Sequence, residues 1–102
     1  MIGFTKSLAI ELGPYEVRAN AICPGTVEGP RMDRVIKAEA EGRGVSIEVV
    51  QKEYIQSQSI KRFVEPEEIA DMCRFLASSA AKMVTGQAIS VDGHTETFHI
   101  VT

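Results

Sequence analysis

Val17-Arg18-Ala19-Asn20-Ala21-Ile22-Cys23-Pro24-Gly25 carries small and branched residues on both of its faces and closes in a Pro-Gly turn. A strand with one face in water alternates apolar and polar residues, so a run without clean alternation predicts a parallel strand covered from both sides. Pro24 removes a ladder donor and Gly25 lets another group approach the main chain closely, so the strand is expected to stop there. Ligands of open α/β sheets bind in the crevice outside the carboxyl ends of the strands. That makes the Pro24-Gly25 turn a candidate binding edge, although a plain strand-to-helix turn would look the same.

Upstream, Met1, Phe4, Leu8 and Leu12 recur at three- and four-residue spacing beside a second stripe of Ile2, Thr5, Ala9 and Leu12. This predicts a helix over 1–12 that is apolar around more than half its circumference. Gly13-Pro14 ends it, with Gly13 expected in the left-handed closing conformation. No capping residue precedes it, and two apolar faces suit the back half of a longer buried helix.

Downstream, Thr26 to Gln58 holds two modest helical patterns, Met32, Val35 and Ile36, then Ile47, Val50 and Tyr54, parted by Gly42-Arg43-Gly44. Ser46 is expected to cap the second, with Glu48 in its first turn. A charged insertion of this kind is expected to form a lid or binding surface rather than core. Pro66 at a first helical position, Glu67 and Glu68 at the positive end of the dipole, and the stripe Ile69, Met72, Cys73 and Leu76 predict a further helix. Gln87-Ala88-Ile89-Ser90-Val91 predicts a second strand between Gly86 and Asp92-Gly93. Strand, helical region and strand form a right-handed crossover unit, and the fold class is α/β.

With 102 residues, 44% hydrophobic and 25% charged, the chain has material for one core and not for two. Eleven Lys and Arg against fourteen Asp and Glu give a net charge of -3, which offers no basic field to a phosphate backbone, so no nucleic-acid partner is expected. No apolar run approaches the ~20 residues that span a bilayer, and no basic leader precedes an apolar stretch. No membrane association and a cytoplasmic location are therefore expected. Cys23 and Cys73 lack a C-x-x-C partner and are expected to be reduced and buried.

Taken singly, the residues offer little chemistry. The acidic residues from Glu28 to Glu53 are interspersed with Arg31, Arg34, Lys37, Arg43 and Lys52, the pattern of a solvated face. His94 and His99 are five apart, which puts them on neither one helix face nor one strand face, so no metal site is expected. There is neither a G-x-G-x-x-G string nor a P-loop.

Five strings in series nevertheless resemble one family. They are Gly3-Phe4-Thr5-Lys6-Ser7-Leu8-Ala9-Ile10-Glu11-Leu12; Val17 to Gly25; Arg62-Phe63-Val64-Glu65-Pro66-Glu67-Glu68-Ile69-Ala70; Phe75-Leu76-Ala77-Ser78-Ser79; and Thr85-Gly86-Gln87 with Val91-Asp92-Gly93. Their order and spacing are similar to the C-terminal portion of the short-chain dehydrogenase/reductases. The resemblance implies the C-terminal part of a Rossmann-type doubly wound parallel sheet, running helix, strand, helical lid, helix, strand. It implies one partial domain over 1–102, with 26–58 as the substrate loop or lid and 94–102 as a C-terminal tail.

Family members transfer hydride between NAD or NADP and an alcohol or ketone, usually as dimers or tetramers. The resemblance therefore implies NAD or NADP as cofactor, a small-molecule alcohol or ketone substrate in the parent enzyme, and a homo-oligomer or a complementing N-terminal fragment as partner. By the same resemblance Pro24, Gly25 and Val27 bind the cofactor, their backbone facing the nicotinamide and the main chain of Val27 meeting its carboxamide. Gly29 replaces the Thr or Ser whose hydroxyl reaches the cofactor in the family, and His94 departs from the family's Val-Asp-Gly-Gly. The family's Tyr-x-x-x-Lys would fall before Met1, with the catalytic Ser and the glycine-rich loop further upstream. No catalytic residue is therefore assigned, and the chain alone is expected to be inactive. A non-catalytic oligomerisation module associating with full-length relatives is the alternative expectation.

Overall fold

The computed structural model describes residues 2–95. They form two compact units, residues 2–23 with 67–91 and residues 24–66 with 92–95.

The first unit begins with α1 (Ile2–Leu12), which runs into a single 3-10 turn, Gly13–Tyr15, with Pro14 near its start, where the missing N–H has no bond to lose. The left-handed residue that closes it is Glu16, at φ 58°, and not Gly13; its N–H reaches Gly13 O at 2.8 Å. The extra turn carries the chain reversal past Pro14.

Strand β1 (Ala21–Pro24) pairs in parallel with β2 (Ala88–Val91). It begins four residues later than the sequence pattern suggests, because the preceding residues bond irregularly to the 84–87 turn. Ala19 N–H donates to Thr85 Oγ1 at 3.0 Å, Asn20 Nδ2 to Val84 O at 2.9 Å, and Gln87 N–H to Asn20 Oδ1 at 3.0 Å. The regular ladder starts only where Ala21 N–H meets Gln87 O at 2.9 Å.

Helix α4 (Pro66–Ala77) has Pro66 at its start and Glu67 and Glu68 in its first turn, as the sequence predicts. At its other end the Arg18 guanidinium donates to the carbonyls of Leu76 and Ala81, a cation placed where the dipole favours one. Leu76 is buried and Ile69 and Met72 are half-buried. The expected burial of the thiols is corrected: Cys73 is exposed and Cys23 only half-buried, both free, because Cys73 borders an open cleft with Val17, Ile22 and Leu76 rather than a packed neighbour.

The second unit is built on a helical hairpin, α2 (Pro30–Arg43) and α3 (Ile47–Ile55). Gly44, at φ 68°, closes α2, and Ser46 Oγ accepts Val49 N–H at 3.3 Å as the expected cap of α3. Ile36, Ala40 and Val50 form an apolar core against which Met32, Val45, Tyr54 and Phe63 pack. The segment expected to be a lid rather than core thus contains a core of its own.

Across the hairpin, Arg43 grips Glu53 at 2.6 and 3.0 Å and Tyr54 Oη donates to Glu39 at 3.2 Å, while within α2 Arg43 also donates to Glu39, one turn back, at 2.9 Å. The bonds from Arg43 hold the Glu53 carboxyl below its ordinary range, and Glu53 with Glu39 raises Arg43. Desolvation, then the Glu39 charge, raises the Tyr54 phenol.

Candidate functional site

The sequence-predicted residues Pro24, Gly25 and Val27 lie together on an extended arm, residues 24–28, that leaves the end of β1. Gly25 is required here by an internal contact. A Cβ at this position would stand 2.7 Å from Asp92 Cβ and 2.8 Å from Asp92 Cα. The close approach that glycine permits on that side is made by Asp92, so any ligand meets the Gly25 main chain from elsewhere.

Val27 forms a parallel bridge with Val64. Val64 N–H donates to Thr26 O at 2.8 Å, and Val64 O accepts from Glu28 N–H at 2.7 Å. Both bonds on the arm's side thus belong to the neighbours of Val27. Successive peptide groups of an extended chain point to opposite sides, so the N–H and C=O of Val27 itself face away from Val64. A donor and an acceptor stand side by side on one residue, the complement of a primary carboxamide.

Gly29, at the head of α2, provides no side-chain cap for that helix. A cleft of about 300 Å³ opens alongside, lined by Glu28, Asp33, Lys61, Arg62 and Phe63 among others. Its charges are of both signs.

The arm is flanked by a knot of loop contacts centred on Gln58. Gln58 is only 3% exposed, and its Nε2 donates to Ile60 O at 3.0 Å and Arg62 O at 2.9 Å. Ser59 and Ile60 N–H both reach Gly93 O at 3.0 Å. His94 sits at φ 64°, its N–H on Asp92 Oδ1 at 2.9 Å and its Nδ1 2.6 Å from Ser59 Oγ. This is a conformation that glycine would adopt more readily. A polar residue closing an apolar pattern at the exit of α3 was the one available signal for Gln58, and its spacing resembles an ordinary solvated loop. His99 and the tail beyond Thr95 lie outside the described residues. Among the described residues no group of three or more His, Cys, Asp or Glu could hold a metal ion, and no helix is long and apolar enough to cross a membrane.

A parallel strand pair joined through helices, with an extended arm leaving the carboxyl end of one strand, defines a partial Rossmann-type α/β protein. A family model described as enoyl-(acyl carrier protein) reductase matches residues 1–94, and the chain belongs to the short-chain dehydrogenase/reductase family. D-beta-hydroxybutyrate dehydrogenase of Cupriavidus necator is 37% identical over 94 residues, which are 91% of this chain and 36% of that protein. A short chain dehydrogenase family protein from Francisella tularensis superposes with a TM-score of 0.83 at 37% identity, covering 90% of this chain and 38% of that one. L-sorbose reductase from Gluconobacter frateurii, solved with NADPH and L-sorbose, superposes with a TM-score of 0.83 at 32% identity, covering 92% of this chain and 36% of that one. The chain thus spans little more than a third of the length of these relatives.

Proposed function

We propose that this chain supplies the nicotinamide-facing arm of an NAD- or NADP-dependent oxidoreductase acting on a small alcohol or ketone. The observation that carries the reading is Val27, whose N–H and C=O are turned away from Val64 and free to pair with a carboxamide. Pro24 and Gly25 hold that arm at the carboxyl end of β1, and α2 with α3 forms the substrate-side lid over 26–58. The cofactor, when bound, supplies the hydride acceptor or donor. This chain's own part is to orient the ring and border the substrate.

The sequence contains neither Tyr-x-x-x-Lys nor a glycine-rich phosphate turn. The arm is therefore expected to bind the nicotinamide end weakly and to turn over only alongside the remainder of a Rossmann domain. A second reading, association with another chain or a complementing fragment, is favoured by Ile2, Phe4 and Ile10, which α1 leaves exposed within its unit.

The test is a titration of the isotope-labelled chain with NADPH and with NAD, followed by amide shifts. Shifts confined to Gly25, Thr26 and Val27, at a dissociation constant weaker than about 10 μM, are expected. Tighter binding, or shifts only elsewhere, overturns the proposal.

A further inference from the structure

We infer that Gln58 is a positioning residue for the cofactor-facing main chain of Val27, acting through two arms of loop that it holds together; the inference rests on the reading of Val27 given above. The first arm is the turn from Gln58 to Arg62. The side chain of Gln58 donates from one nitrogen to Ile60 O and Arg62 O, which folds this turn and delivers the chain to Val64 two residues later. Val64 is 5% exposed, and its N–H and C=O are both committed to the arm, through Thr26 O and Glu28 N–H. The orientation of the Val27 peptide groups follows from those two bonds.

The second arm is residues 92–95. Gln58 makes an antiparallel bridge with Thr95, and its neighbours Ser59 and Ile60 donate to Gly93 O. A Cβ on Gly93 would stand 3.0 Å from Gln58 Nε2 and 3.2 Å from Ile60 O, tighter than ordinary contact, at a φ of 66° that favours glycine. One residue earlier, Asp92 packs on Gly25 with no space for a methyl group. The arm 24–28 is thus gripped at Gly25 by one segment and at Val27 by another, and both segments are referred to Gln58.

Only a donor serves here. A leucine fills a similar volume but removes the one side-chain donor shared by the two carbonyls, leaving Ile60 O with the Arg62 N–H at 2.9 Å and the link from Gln58 to Arg62 O broken, and a glutamate of the same shape is an acceptor at neutral pH. Protonated, the glutamate regains one O–H donor and with it one of the two bonds.

The experiment compares Gln58→Leu and Gln58→Glu with the parent chain, by amide exchange and by NADPH titration. Exchange at Glu28 and Val64, whose amides hold the arm, is expected to quicken about tenfold in Gln58→Leu, while amides of α2 and α3 around Ile36 and Val50 keep their rates. NADPH-induced shifts at Val27 are expected to need about tenfold more ligand, and in Gln58→Glu the quickened exchange is expected to shrink, relative to the parent chain at the same pH, as the pH falls and the buried carboxyl takes up a proton. Unchanged exchange at Glu28 and Val64 overturns the positioning role whatever the cofactor does. Equal quickening throughout α2 and α3 overturns it as well, by showing a general support. Absence of any NADPH shift at Val27 in the parent chain overturns the cofactor reading instead.

Discussion

The helical hairpin of the second unit and the sheet-bearing first unit invert the usual relation between charge and burial. The hairpin carries ten of the chain's 25 charged residues, yet Ile36 and Val50 within it are 1% and 0% exposed. Helix α1, apolar on two faces, leaves Phe4 65% and Ile10 77% exposed and buries only Thr5 among its residues. The difference lies in where each element finds its partner. Helices α2 and α3 are joined by three residues, so each meets the other at little cost in chain entropy and a core forms locally. The strands of the first unit find each other only across the 63 residues between Pro24 and Ala88, and nothing within that unit covers Phe4 or Ile10. An apolar face is a demand for a neighbour, and burial records whether the neighbour is there.

The sharpest way to break this contrast is to truncate one side chain in each region. Ile36→Ala is expected to cost about 3 kcal/mol, the transfer loss plus a cavity among Ala40 and Val50. Phe4→Ala, although it removes more atoms, is expected to stay within about 0.5 kcal/mol because those atoms are already in water. Urea unfolding followed by circular dichroism measures both. If Phe4→Ala proves as costly as Ile36→Ala, the outer face of α1 is covered in solution, and self-association is what covers it.

Glycines give the next largest effect and a change of sign. Gly25→Ala places its methyl against the backbone of Asp92, which has no rotamer to yield, and is expected to destabilise by about 2 kcal/mol. Gly42→Ala, inside α2 with nothing within 4 Å of the new atom, is expected to stabilise the hairpin by up to about 1 kcal/mol. Melting curves of the two variants check it, and equal signs would show that the Asp92 contact is not tight in solution.

What could be read in the sequence follows the same division between local and distant causes. Local signals gave Ser46 as a cap, Pro66 with Glu67 and Glu68 as a helix start, and both strands, because each depends on residues a few positions apart. The strand end marks the Pro24-Gly25 turn by itself, whereas Val27 joins it as a candidate only through the family resemblance. The partner of that arm did not: Val64 pairs with Val27 from 37 residues away, and Gln58 looks like a loop residue until the carbonyls it serves are seen. The local core of the Thr26–Gln58 segment is hidden in the sequence because its charges lie on the outside of the hairpin, while so few positions as Ile36, Ala40 and Val50 suffice for its inside. Cys73 was misread for the opposite reason, since a regular stripe on α4 does not show whether anything lies against it.

The cap of α3 tests whether the hairpin is held by its own local chemistry. Ser46→Ala removes the oxygen that accepts Val49 N–H and is expected to cost about 1 kcal/mol. The loss should appear as faster amide exchange at the start of α3, with the amides of β1 and β2 unaffected. A matching change in the strands would mean that the hairpin and the sheet unfold as one.

The smallest expected effect is that of pH on the same hairpin. Glu53 has its folded pKa lowered from an ordinary value of 4.5, first by its hydrogen bonds with Arg43, so what it contributes is present above 4.5 and is lost as the pH falls through the lower folded value. Tyr54 has its folded pKa raised above 10.0, by desolvation first and the Glu39 charge second, so its contribution is complete below 10 and is lost as the pH rises through the folded value. Both partners of the ion pair are exposed, so the effect is small and screened by salt. Helicity and the amide exchange of Val50 are expected to weaken modestly on either side of this window, and 1 M NaCl should flatten the acid limb. Glu53→Gln should flatten it too, because the neutral amide has nothing to titrate. An acid limb that survives both salt and Glu53→Gln would assign the loss to another carboxyl, and the grip of Arg43 on Glu53 would then not be what joins α2 to α3; the buried contacts of Ile36 with Val50 would be sufficient by themselves.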